Sequence, residues 1–212
     1  GDKFFLMPWG QNAGMFLKWF RDALCADLAG RQDAYAVLSR EAEGVPAGAD
    51  GLVALPHLTG AASPEFDPHA KGVFFGVSLR HGRGHFVRAI MESVAYMLRK
   101  NLERLPALGI EVAEIRSLGG GAKSALWNQI KADVTGKPVV TLRSEETACV
   151  GVAMLAAVAL GVYPNLEAAA KHMVALKDRY APSPETRQVY DDRYHTYLSL
   201  YDALRDVFRA EE

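Results

Sequence analysis

The amino-acid sequence predicts an α/β layered domain. Two observations carry that expectation: short apolar runs of strand length alternate with amphipathic stretches of helical length, and three successive glycines, Gly119, Gly120 and Gly121, stand where one run gives way to a helix. In chain order, residues 13–29 predict an amphipathic helix with Met15, Trp19, Leu24 and Leu28 on its apolar side and Lys18, Arg21, Asp22 and Asp27 on its wet side. The Gly-, Pro- and acid-rich stretch 41–50 reads as a loop feeding a buried strand at 52–55. Residues 59–71, with two prolines and no periodicity, read as an ordered loop leading to a second strand at 72–77. Next comes a helix over 85–105, striped by Phe86, Ile90, Val94, Met97 and Leu98 and stopped by Pro106 and Gly109. A strand at 112–118, a helix at 124–135 closed by Gly136, and a strand at 138–142 follow. Residues 147–160, small and apolar throughout, predict a helix buried on most of its surface, and 185–209 a tyrosine-rich, charged helix packed across the outside.

Composition excludes several classes of function. With 24 basic against 25 acidic residues, the chain carries no global field to attract nucleic acid or an anionic membrane. Cys25 and Cys149 sit far apart among apolar neighbours and read as small buried thiols rather than a disulfide or metal site. No apolar run is long enough to span a bilayer, and residues 1–20 lack the order of a secretory signal, so a cytoplasmic location is expected. The six histidines, His57, His69, His81, His85, His172 and His195, show no metal-ligand spacing, and no metal site is expected.

Three residues without a Cβ between a strand and a helix let backbone approach a ligand closely, and the helix start aims free N–H groups at the same place. Such a turn suits a phosphate or another polar anion. It equally suits a tight corner whose glycines only permit close packing, and the residues alone leave both readings open. The spacing is neither a Walker A loop nor a dinucleotide fingerprint. Trp127, continuing an apolar face with Ile130 and Val134, reads as a core anchor, Asp67 as a turn aspartate, and Glu145 and Glu146 as carboxylates opposing a helix dipole.

The stretch GVFFGVSLRHGRGHFVRAIMESVAY, residues 72–96, resembles the signature of the FGGY carbohydrate kinases at Gly72, Phe74, Gly76, Val77, His85, Phe86, Ala89, Ile90, Met91 and Glu92. NAGMFLKWFRD at 12–22, GGGAKSALWNQIKADVTGKPV at 119–139 and EETACVGVAMLAAVALGVY at 145–163 are similar to the same family, so the resemblance runs in order from about residue 12 to about residue 163. It implies an actin-like ATPase, ribonuclease-H-like domain: a mixed sheet flanked by helices, here with a helical C-terminal extension over 164–212. It also implies that the chain is the C-terminal, nucleotide-holding half of a two-domain enzyme. The catalytic base and most sugar contacts would lie in an N-terminal domain outside residues 1–212, so no catalytic residue is expected here.

Matched motif by motif, the resemblance places nucleotide contacts at Gly14 and Lys18, at Gly119, Gly120 and Gly121, and at Ser124, which stands where glycerol kinases of the family have asparagine. Lys18 stands where they have glutamine. ATP and Mg²⁺ are the implied cofactors and a small sugar the implied partner, with a homodimer as the expected assembly if any. The loops look closer to xylulose kinases than to glycerol kinases, which favours D-xylulose over ribulose, fuculose-type sugars, gluconate or glycerol. A non-catalytic, nucleotide-dependent regulatory module is the contrasting expectation.

Overall fold

The computed structural model describes residues 5–10 and 12–210. Helix α1, Ala13–Leu24, follows Asn12, whose backbone is left-handed with φ of 68°. It buries Phe16, Leu17 and Phe20 and leaves Met15, Trp19 and Leu24 of the expected stripe exposed, while Leu28 of that stripe is buried just beyond the helix. The segment carries two apolar stripes offset by one residue, and the one bearing Phe16 and Phe20 wins because it meets other aromatic rings. Phe16 lies 5.4 Å from Phe74, and Phe20 lies 6.0 Å from Phe86. A 3₁₀ turn, Ala26–Leu28, completes the predicted 13–29 segment.

Helix α2, Ala34–Glu43, leads to strand β1, Val53–Pro56, whose four residues are all buried, and β1 pairs antiparallel with β2, Gly72–Phe75. Helix α3, Arg83–Leu102, is the central post of the molecule, buried from Val87 through Met97 and packed against α1, α2 and β1. Its first turn can close on α2 only at Gly84, where a Cβ would stand 2.5 Å from the Glu41 carbonyl oxygen.

Beyond α3, strand β3 (Ile115–Ser117), helix α4 (Ala125–Thr135) and strand β4 (Val139–Leu142) form a unit of two parallel strands joined by a helix. Gly136, at φ of 66°, caps α4 as expected. Helix α5, Thr147–Ala159, is where expectation and structure part most clearly. None of its residues is buried: Val152 is 66% and Leu155 59% exposed. The composition reading assumed neighbours on every side, whereas α5 packs chiefly against α6, Leu166–Met173. Cys149, on α5, is accordingly exposed, while Cys25 is buried as read.

The 164–212 segment is not purely helical. It contains β5, Leu176–Tyr180, which pairs antiparallel with β4 and completes a mixed sheet of order β3-β4-β5. The last helix, α7 (Arg187–Arg209), does not ride on the outside either. Its face of Tyr190, Tyr194, Tyr197 and Tyr201 is at most 3% exposed and joins the main core with Tyr96 of α3, 5.6 Å from Tyr197. Tyrosine reads as a surface residue in sequence, yet here the rings fill the core while several hydroxyls find partners: Tyr194 donates to Glu103, and Tyr201 to Asp67.

One buried charge pair ties α3 to its surroundings. The Arg88 Nε donates to Glu92 at 2.9 Å, the Gly48 N–H donates to the same carboxylate, and the Arg88 guanidinium also reaches Val45 O and the Tyr190 hydroxyl. Burial pushes the Glu92 carboxyl up to about 7, against the pull of Arg88 and the Gly48 N–H.

Candidate functional site

The triple glycine lies where the sequence put it, between β3 and α4. Gly119 has φ of 74° and ψ of −161°, a backbone combination essentially confined to glycine, and Gly120–Lys123 follow as a 3₁₀ turn. A Cβ on Gly120 would meet no atom within 4 Å, so this glycine is not spent on close packing inside the protein. Gly121 faces inward, where a Cβ would lie 3.5 Å from the Trp127 ring. The turn therefore has two glycines, Gly119 and Gly120, over open space and one, Gly121, seated on a core aromatic.

Ser124 is the N-cap of α4: its Oγ accepts the Trp127 N–H at 3.2 Å and shares a 2.7 Å hydrogen bond with Ser39 Oγ of α2. The serine that fixes where α4 begins thus also fixes α4 against α2. Trp127 is 5% exposed, and its Nε1 donates to Met91 O of α3, which makes it the core anchor that its spacing predicts. Two contacts within one helical turn, Ser124 to Ser39 and Trp127 to Met91, hold the start of α4 to α2 and α3.

Beside the turn opens a cleft of about 160 Å³ whose walls include Ser117, Gly119, Lys123, Thr141, Arg143 and Asp178. That is about half the low end for a small-molecule pocket, roughly 300 Å³, so the cleft offers one wall rather than an enclosing site. Lys123 at its rim pairs with Glu145 at 2.6 Å, which gives this carboxylate a partner beyond the helix dipole.

Gly14 and Lys18 lie on α1, and neither lines this cleft. Lys18 is exposed and paired with Asp22 at 2.6 Å, one helical turn on, while a Cβ on Gly14 would meet nothing within 4 Å. The six residues assigned by resemblance thus fall into two groups, Gly119, Gly120, Gly121 and Ser124 on the turn, and Gly14 and Lys18 on a separate helix.

Sequence reading missed the polar set beneath the turn. Lys131 Nζ donates to Ser117 Oγ at 2.8 Å and to Asn128 Oδ1 at 3.3 Å, and Asn128, fully buried, donates to Ala122 O at 2.8 Å. The available signal was a lysine four residues after Trp127, on the edge of an otherwise apolar helix face.

A larger cleft of about 590 Å³ opens between Glu65–His69 and the end of α7. Asp67 there accepts from the His69 N–H as a turn aspartate, and also from Tyr201; Glu65 pairs with Lys100, and Arg205 with Asp202. Among the described residues, no group of three His, Cys, Asp or Glu side chains is placed to hold a metal ion. No helix among them is long and apolar enough to cross a membrane.

Residues 1–160 match the family model of the FGGY family of carbohydrate kinases, C-terminal domain. A xylulose kinase of Bacillus subtilis is 31% identical over 209 residues, which cover 99% of this chain and 41% of that protein. A gluconokinase of Bacillus licheniformis is 33% identical over 93% of this chain and 39% of its own length. Among solved structures, the xylulose kinase of Rhodospirillum rubrum superposes with a TM-score of 0.80 at 34% identity, over 92% of this chain and 39% of that one. The chain spans about 40% of the length of the relatives it matches. Its mixed sheet and helices have the actin-like ATPase fold of those kinases. The glycine turn, the helix it feeds and the signature leading into α3 are therefore parts of one inherited unit, and the chain belongs to the FGGY family of carbohydrate kinases, as its C-terminal domain.

Proposed function

We propose that this chain is the ATP-holding half of a cytoplasmic sugar kinase, with D-xylulose as the acceptor of the transferred phosphoryl group. The observation that carries the reading is the turn itself: Gly120 presents backbone to open space while Ser124 and Trp127 lock the surrounding frame. Bound ATP would supply the γ-phosphoryl group, and catalysis of that transfer depends on positioning and charge neutralisation more than on covalent chemistry from the protein. Gly119, Gly120 and Gly121 bring backbone against the nucleotide, Ser124 holds the start of α4, and Gly14 and Lys18 of α1 complete the nucleotide contacts from a second direction.

Among the described residues no set of side chains forms a cage for Mg²⁺, and the ion is assigned to the phosphates and to carboxylates outside this chain. The sugar and the base that takes its hydroxyl proton are assigned to a further domain. The 41% coverage of the xylulose kinase relative supports that division, and so does α5, whose exposed apolar side is the kind of surface another domain covers.

Calorimetric titration with ATP and ADP tests the placement. Gly120→Val puts a branched side chain into the open space and is expected to weaken nucleotide binding by on the order of tenfold or more with little change in melting temperature. Unchanged affinity would refute the site. In a coupled assay of ADP release with xylulose, ribulose, gluconate and glycerol, the 212-residue chain is expected to show no turnover by itself. Robust turnover would refute the division of labour.

A further inference from the structure

Among the described residues, Lys131 is a cation without a paired carboxylate. Its ammonium is partly buried behind the glycine turn, bonded to two neutral oxygens, Ser117 Oγ and Asn128 Oδ1, with the Trp127 ring 5.5 Å away. No carboxylate pairs with it among the described residues: the nearby acids are engaged elsewhere, Asp133 with Gln129 and the Ser183 N–H, Asp178 with Thr141, and Glu145 with Lys123. A charge in such a place is costly unless something compensates it. Burial alone lowers its pKa to about 8, with no acid acting to raise it.

Position supplies the missing term. A Cβ on Gly121 would stand 3.8 Å from Lys131 Nζ, so the ammonium lies directly behind the middle of the turn. Through Asn128, which binds Ala122 O, it is tied to the turn's own backbone, and through Ser117 to the end of β3. Resting on the proposed nucleotide site, we infer that Lys131 is a positioning residue for the phosphates of a nucleoside di- or triphosphate, holding positive charge behind the turn while the backbone makes the contact in front. A phosphate on the outer side of Gly120 would feel the ammonium across the backbone of the turn.

That arrangement separates charge from shape, and a neutral ligand tells them apart. The chain is titrated with ADP and with adenosine, alongside Lys131→Met, Lys131→Gln and Lys131→Arg. ADP affinity is expected to fall by on the order of tenfold in the Met and Gln variants and to be largely restored by Arg, while adenosine affinity stays within about twofold throughout. Gln keeps hydrogen-bonding capacity toward Ser117 and serves if Met does not fold. Unchanged ADP affinity in a folded neutral variant overturns the inference and leaves the site standing. Equal losses of ADP and adenosine make Lys131 a mere strut and also overturn it. Failure of the parent chain to bind either ligand overturns the site and this inference together.

Discussion

Single residues in this chain often do work that their type conceals. His57 is 3% exposed beside Tyr201, and burial, aided by the Lys100 charge, lowers its pKa to about 4. The unfolded chain, with an ordinary value near 6.5, binds the proton first, so the neutral buried ring stabilises the fold above pH 6.5 and that contribution is lost as pH falls toward 4. Glu92 acts with the opposite sign, since its raised value makes its contribution greatest below pH 4.5 and diminishing toward pH 7. His57→Gln isolates the first effect. In urea unfolding at pH 5 and pH 7, the gain in stability on going to pH 7 should be smaller in the variant than in the parent by about 2 kcal/mol. Equal gains would show that His57 is not held neutral. Neither residue announced itself in sequence: a histidine between Pro56 and Leu58 and a glutamate in an apolar helix both read as ordinary until α7 and Gly48 are brought to them by the fold.

Elements were legible where their boundaries rest on local chemistry. Pro106, Gly109, Gly136 and Ser124 stop and start helices because of their own backbone and side-chain preferences, and α3 and α4 fall within three residues of their expected ranges. Faces were less legible. Which stripe of α1 is buried was decided by Phe74 and Phe86, more than 50 residues away, and no periodicity within 13–29 records that. The turn was found for its glycines, but its support was not, because Ser39 joins Ser124 across 85 residues. Ser124→Ala removes both the cap and this link, and should cost about 1–2 kcal/mol in thermal or chemical denaturation. A loss below a few tenths would mean that α4 starts without its cap.

For the molecule as a whole, the sequence conveyed the alternation of strands and helices but not what covers what. An apolar helix implies burial, and α5 shows that composition alone does not supply the neighbours: it meets chiefly α6 and leaves its apolar side chains exposed. Val152→Asp with Leu155→Asp should reduce apolar-dye binding and self-association in sedimentation, while stability stays within about 0.5 kcal/mol for each exposed site. A large stability loss would show that this face is packed in the isolated chain.

The family match ends at residue 160, yet the mixed sheet is finished by β5 and the core of α3 by the tyrosines of α7. Folding during synthesis inherits that order. As the chain leaves the ribosome, α3 and the glycine turn emerge before the strand that pairs with β4 and before the rings that seal Tyr96. Until then the nascent protein carries an open seam along its middle, and protecting that seam falls to whatever meets the chain at the tunnel exit.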